Sequence, residues 1–248
     1  KLAAGLVQLK ADVIVTGGSR ATHSAKAATE TIPIVMAQDP DPVANGFVAS
    51  LARPGGNITG LSLLSPELSG KRLELLKEIV PTLSRVAVFG TSTSAEDRKS
   101  LEEIKLAAGA MKVQLQYLDI VTGKDIDPGF RAAAKPRADV VLWTVSGSVS
   151  RAHRTQIVEL AVKNRLPAIY NSAEWVEAGG LMSYGVRQRD LYRRAATYVD
   201  KILKGAKPAD LPVEQPKKFE FIINLKAAKQ IGLTIPPNVL VRADKVVK

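Results

Sequence analysis

Short apolar runs alternate with segments of helical period along the whole chain, and this alternation limits the fold more than any other feature. Residues 12–16, 34–36, 58–62, 86–89, 140–143 and 168–170 form nearly continuous apolar or β-branched runs, as strands covered on both faces do. Residues 113–118 alternate in polarity and read as an edge or half-exposed strand, and two further runs lie at 181–184 and 219–223. Between them the spacing predicts helices over 20–29, 68–80, 94–110, 127–134, 151–164, 172–178, 191–203 and 225–231, with a short helix around 42–51. In the helix at 68–80, Leu73, Leu76 and Val80 share a face, and Pro81 ends it. In the helix at 191–203 the stripe is Leu191, Ala195, Tyr198, Val199, Ile202 and Leu203, stopped by Gly205. Strands and helices in strict alternation build parallel sheets with helices on both faces, so the fold class is α/β.

The alternation breaks once, at Arg53-Pro54-Gly55-Gly56-Asn57-Ile58-Thr59-Gly60-Leu61-Ser62. Pro fixes its own φ and Gly tolerates positive φ, so Pro-Gly-Gly is a turn, and the short strand after it leaves one α/β series to enter another. A second junction lies near Gly179-Gly180. The first series holds only three strands before the crossover, fewer than a parallel lobe normally has, which implies further strands upstream. The chain begins at Lys1 within a helical pattern (Leu2, Leu6, Leu9) and carries no signal-peptide pattern, as expected of a mature or trimmed fragment.

Composition removes several classes. There is no Cys, hence no disulfide, thiolate nucleophile or Cys-ligated zinc. No apolar run reaches membrane-spanning length. The net charge of +11 invites nucleic acid, but the basic residues are dispersed and aromatics are only 5%, so the stacking platforms of a nucleic-acid site are missing. His23 and His153 lie on helices without a metal-ligand partner at i+4, and no HExxH, GxSxG or P-loop occurs. Nothing in the sequence argues for an enzyme, and no cofactor or metal is expected.

Open α/β sheets bind ligands beyond the carboxyl ends of their strands. The loops there are Thr16-Gly17-Gly18-Ser19-Arg20, Ala37-Gln38-Asp39 and Ser62 in the first series. In the second they are Thr91-Ser92-Thr93-Ser94, Thr144-Val145-Ser146-Gly147-Ser148 and Asn171-Ser172-Ala173-Glu174. They are rich in hydroxyls and amides and poor in general bases, which suits orienting a ligand rather than transforming it. The Gly17–Ser19 turn opens a helix whose N-terminus favours an anion, but it lacks the third Gly of a dinucleotide fingerprint.

Several stretches together carry a resemblance: ADVIVTGG, IPIVMAQDPDPV, VASLARPGGNITGLS, ELSGKRLELLKEIVP, RLPAIYNSAEWVEAGGLMSYG, ILKGAKPADLPVEQPKKFEFIINLKAAKQIGLTIP and PPNVLVRADKVV. In this order they resemble the ABC-transporter substrate-binding proteins of the TrpX-like group, tryptophan/tyrosine transport components, over nearly the whole chain. The resemblance implies a type I periplasmic binding protein fold, with two Rossmann-like lobes joined by crossing strands and closing by a hinge on a small ligand. The first lobe is then 1–62 plus about 185–235, and the second 63–184, with 236–248 packing near the hinge. Gly60, Gly179 and Gly180 suit the crossings. Carried over loop by loop, the ligand-binding residues are Gly17, Gly18, Ser19, Arg20, Asp39 and Ser62 in the first lobe. Those of the second are Ser92, Thr93, Ser94, Ser146, Asn171 and Tyr184.

The implied ligand is an aromatic amino acid or a small organic or aromatic acid, and the implied partner a membrane ABC permease, with no nucleic acid and a monomeric state. The implied location is periplasmic, or lipid-anchored and extracytoplasmic. The chain departs from the family pattern in two loops. Gly90-Thr91-Ser92 replaces a common Asn-Pro, and Val145-Ser146-Gly147 lacks the Asp that amino-acid binders hold there for an α-ammonium group. The second departure favours an organic acid gripped by the Ser19 helix end and Arg20. The alternatives are a ligand-sensing domain of a transcription regulator, which shares the two-lobe fold, and an α/β enzyme.

Overall fold

The computed structural model describes residues 2–63, 65–135, 137–145 and 147–248. In chain order its elements begin α1 (Leu2–Gln8), β1 (Ile14–Gly17), α2 (Ser19–Lys26), β2 (Ile34–Asp39), β3 (Ile58–Ser62), α3 (Ser65–Ile79) and β4 (Arg85–Gly90). They continue α4 (Ala95–Met111), β5 (Gln114–Asp119), α5 (Ile126–Ala133), β6 (Val140–Trp143), α6 (Gly147–Ala152), α7 (Arg154–Lys163) and β7 (Ala168–Tyr170). The last are α8 (Ala173–Glu177), β8 (Met182–Gly185), α9 (Gln188–Leu203), β9 (Glu220–Asn224), α10 (Leu225–Ile231), α11 (Pro237–Leu240) and β10 (Lys245–Val247). The chain divides into two compact units, Lys1–Leu64 with Arg187–Lys218, and Ser65–Val186 with Phe219–Lys248.

The first unit is built on a three-stranded parallel sheet in the order β1-β2-β3. The segment after α9 extends this sheet beyond β3. Ser62 N–H donates to the Glu214 carbonyl at 2.9 Å, Glu214 N–H to the Gly60 carbonyl at 3.0 Å, and the Thr59 hydroxyl to the Leu211 carbonyl at 2.6 Å. Helix α9 buries Leu191, Ala195, Tyr198 and Ile202, one residue per turn, against β2 and β3. Ile14, Ala25, Ile34, Met36, Phe47, Val48, Ile58 and Val213 form the core of this unit. Gly60 makes the tight packing of β3 possible. Its φ is +135°, and a Cβ there would run into the backbone of Met36 on β2.

The second unit holds a seven-stranded sheet in the order β10-β9-β8-β7-β6-β4-β5. All pairs are parallel except β8 with β9. The strict period of two sorts β4 between the faces: Val86 and Val88 enter one core with α3, α4 and α10, while Ala87 and Phe89 enter another with α5 and α7. The second core is aromatic, with Phe89 stacked on Trp143 at 5.2 Å and Tyr170 on Trp175 at 4.6 Å between ring centroids.

The structure departs from expectation at several points. Residues 219–235 belong to the second unit rather than the first, because β9 pairs with β8 and places Phe221 and Ile223, with Ala227, Ala228 and Ile231 of α10, in its core. Residues 236–248, expected with the second lobe, lie in the same unit: Val239 of α11 is buried in that core and β10 adds a parallel edge to β9. Residues 42–51 form turns instead of a helix. Gly46 takes φ +67°, which sends Phe47 and Val48 inward to the core. The helix expected over 151–164 is two, α6 and α7, broken at His153 with φ −115° and ψ 17°. On α9, Leu203 lies in the last turn and is exposed, outside the buried stripe.

Candidate functional site

In the first unit, the parallel strands bring the carboxyl ends of β1, β2 and β3 to one edge, and the residues expected there assemble around Asp39. Gly18 caps α2 with φ +93°, a conformation that favours Gly. Its carbonyl accepts from the N–H groups of Ala21 at 3.1 Å and Thr22 at 3.2 Å. No side chain caps the start of this helix, whose partial positive charge faces Ser19. Arg20 is exposed on the first turn.

Asn45, which no motif marks in the sequence, ties the loop ends together. Its amide donates to the Ser19 hydroxyl at 3.1 Å and to Asp39 Oδ1 at 2.9 Å. The Asp41 N–H also donates to Oδ1, at 3.1 Å. Asp39 is fully buried, and its Oδ2 has no hydrogen-bond partner among the described residues. Burial pushes this carboxyl up from the usual carboxylate range, opposed chiefly by the Asn45 hydrogen bond. Asp39 is in register with Ser62 on β3, and its carbonyl accepts from the Leu63 N–H at 2.8 Å. Gly17, Gly18, Ser19, Asp39 and Ser62 thus share one edge.

In the second unit the loop after β4 is held from below by two carboxylates. Ser92 donates to Asp119 through both its N–H and its hydroxyl, each at 2.7 Å. Thr91 N–H donates to Asp97 Oδ2 at 2.7 Å, and the Ser94 hydroxyl caps α4 by accepting from the Asp97 N–H at 3.1 Å. Ser92 and Ser94 therefore shape the loop, while Thr93 stands exposed at its tip. Asp97 is buried, with Oδ1 unpartnered among the described residues, and burial raises its carboxyl to about 6. Tyr117 beside them is pushed up to about 12, by burial first and then by Asp119 and Asp97.

Ser146 lies outside the described residues. Asn171 at the end of β7 accepts from the Trp175 indole N–H at 3.1 Å. Tyr184 on β8 is half-buried against Phe219 and Phe221, and its carbonyl accepts from Arg72 Nε at 2.8 Å. Arg72 is 3% exposed, and burial lowers its guanidinium to about 10 while Glu96 opposes the shift. Beside Lys71 on an amphipathic helix of mixed charge, Arg72 gives no signal of its own. Only the packing of α3 shows that it points inward.

Among the described residues no group of three or more His, Cys, Asp or Glu could hold a metal ion. His23 packs edge-on to Phe47 at 4.5 Å, and His153 Nδ1 pairs with Gln156 at 2.9 Å, which donates to Asp127. Both histidines are thereby accounted for by packing. Among the described residues no helix is long and apolar enough to cross a membrane.

A Streptococcus pneumoniae ABC domain crystallised in complex with L-Trp is 26% identical with a TM-score of 0.89, covering 99% of this chain and 84% of that one. A conserved domain protein of Vibrio cholerae O1 biovar El Tor is 31% identical with a TM-score of 0.91, covering 99% of this chain and 81% of that one. These neighbours place the architecture among periplasmic binding proteins of the type I-like fold. A Clostridioides difficile (strain R20291) protein described as a tyrosine-binding protein is 26% identical over 233 residues, which is 94% of this chain and 66% of that protein. The chain thus spans just under two thirds of that relative's length. The profile of one family, described as ABC transporter substrate binding protein, matches residues 1–247. A match over that span decides the family: the chain belongs to the ABC transporter substrate-binding proteins.

Proposed function

We propose that this protein binds a small aromatic amino acid and delivers it to an ABC permease outside the cytoplasmic membrane. The observation that carries the reading is the pair of carboxyl edges. Each presents hydroxyls, amides and a helix start, and among the described residues no group of three or more His, Cys, Asp or Glu could hold a metal, in a chain of the substrate-binding family. The relatives described as tyrosine-binding and crystallised with L-Trp support an aromatic amino acid as the ligand class. On the first unit's edge the groups we assign to ligand contact are Gly18, Ser19 and Asp39; on the second unit's own edge the corresponding groups are Thr93 and Asn171. Ser92, Ser94 and Tyr184 shape the loops from within.

A thermal-shift series with L-tryptophan, L-tyrosine and indole-3-propionate tests this. A ligand at a hundred times its dissociation constant stabilises the folded state by about 2.7 kcal/mol. Stabilisation by the two amino acids is expected. Stabilisation by the propionate alone would replace the amino acid with an organic acid, the reading that the missing Asp after β6 favours. No shift with any of them would remove the aromatic class altogether.

A further inference from the structure

Two charged residues flank Trp175, Arg154 in space and Glu174 in sequence, and each has a shielded atom without a hydrogen-bond partner among the described residues. Arg154 opens α7, and its guanidinium lies over the Trp175 ring, 5.7 Å from the centroid. The ring is itself fixed, stacked on Tyr170 at 9° between planes and hydrogen-bonded through its indole N–H to Asn171. A cation–π contact on a ring held in this way keeps the guanidinium at its face, so its N–H donors are positioned before any partner arrives. Yet Arg154 Nε is shielded from solvent and has no hydrogen-bond partner among the described residues.

A carboxylate adjacent in sequence to Trp175 shares this property. Glu174 lies in the first turn of α8, adjacent in sequence to Trp175, and its Oε2 is likewise shielded and unpartnered. Shielded charged atoms lacking partners are costly, and here two of opposite sign flank Trp175, Arg154 in space and Glu174 in sequence, so a molecule that satisfied both would be stabilised. Both lie in loops and helix starts that follow β6 and β7, on the carboxyl side of the second sheet.

We propose that Arg154 and Glu174 form a dipolar subsite in the second unit that reads the charged head of an α-amino acid. Arg154 donates to its carboxylate, and Glu174 accepts from its ammonium group. The subsite rests on the amino-acid reading above and deepens it. It supplies the carboxylate that the loop after β6, Val145-Ser146-Gly147, does not carry. The geometry of Trp175 explains why the Arg is not interchangeable with Lys: an ammonium has no plane to stack and no fork to present.

Calorimetric titration of the whole chain with L-tryptophan, indole-3-propionate and tryptamine tests it, using Glu174→Gln, Arg154→Met and Arg154→Lys. Glu174→Gln should weaken L-tryptophan about tenfold or more and leave indole-3-propionate unchanged, because only the ammonium contact is lost. Arg154→Met should weaken L-tryptophan and indole-3-propionate alike by about tenfold and leave tryptamine unchanged, with Arg154→Lys restoring only part of the loss. Thermal melts of each variant separate a folding defect from a binding one. If a variant melts early, its ratio of affinities for the three probes still reads the subsite, since misfolding weakens all three together. Wild-type protein that binds L-tryptophan while folded variants bind it within about twofold of wild type would overturn the subsite and leave the ligand class standing. Wild-type protein that binds none of the probes would overturn the ligand class and this subsite with it.

Discussion

Arg72 Nε donates to the carbonyl of Tyr184 at 2.8 Å, joining helix α3 to strand β8 across 112 residues of sequence. The guanidinium is 3% exposed, and burial has lowered its pKa to about 10. A buried cation of this kind is held by its geometry. Arg72→Lys keeps the charge but loses the fork, and should lower stability by about 1–3 kcal/mol in chemical denaturation. A change below about 0.5 kcal/mol would show that the bond contributes little.

Tyr170 offers a prediction of the opposite sign. Its ring is fully buried in the aromatic core, but its hydroxyl has no partner among the described residues, and burial pushes its pKa upward. Removing an unsatisfied buried hydroxyl while keeping the ring should help. Tyr170→Phe is expected to raise stability by about 1 kcal/mol, read as a higher melting temperature. A drop instead would mean that the hydroxyl is satisfied in solution.

Asp97 makes stability depend on pH in a specific window. Its folded pKa, raised to about 6, lies above the ordinary value of 3.8, so the folded state holds the proton more tightly than the unfolded one. The contribution of this group is therefore largest below about pH 4 and is lost as pH rises through about 6. Asp97→Asn keeps an acceptor for the Thr91 N–H and removes the titration. The advantage of wild type over the variant should be greater at pH 4 than at pH 7 by about 2 kcal/mol. Parallel stability-against-pH curves for the two proteins would contradict this.

Gly60 is the position least able to change. An Ala there meets both a φ of +135° and the Met36 backbone, two constraints that no rotamer relieves. Gly60→Ala should cost about 3 kcal/mol or more, visible as loss of soluble yield or a cooperative transition at much lower denaturant. A variant that melts like wild type would require β2 and β3 to separate freely.

Asn45→Ala removes the amide that joins Ser19 to Asp39. It should lower stability by about 1 kcal/mol and weaken L-tryptophan by about tenfold, because the loop ends lose their common tie. Retained affinity in isothermal titration would take the first-unit edge out of the ligand site.

How much of this was legible in the sequence follows from the range of each interaction. Strand and helix positions depend on periodicity and local turn chemistry, so β3, β4, β6, β7 and α10 lie where the apolar pattern puts them to within a residue or two. The carboxyl-edge loops followed from the same pattern, and with them Gly17, Ser19, Asp39 and Ser62. What failed was long-range or chemically ambiguous. The turn at residues 42–51 looked helical until Gly46 took its positive φ, and nothing local showed that β9 would pair antiparallel with β8. Arg72, Arg154, Asp97 and Glu174 are charged residues on helices, indistinguishable in sequence from their solvated neighbours. The sequence by itself determined the α/β alternation, the break at Pro54-Gly55-Gly56 and the hydroxyl-rich loops, because these rest on backbone preference and hydrophobic period. The tertiary structure alone decided which charges turn inward, because desolvation depends on what packs against a side chain from distant parts of the chain.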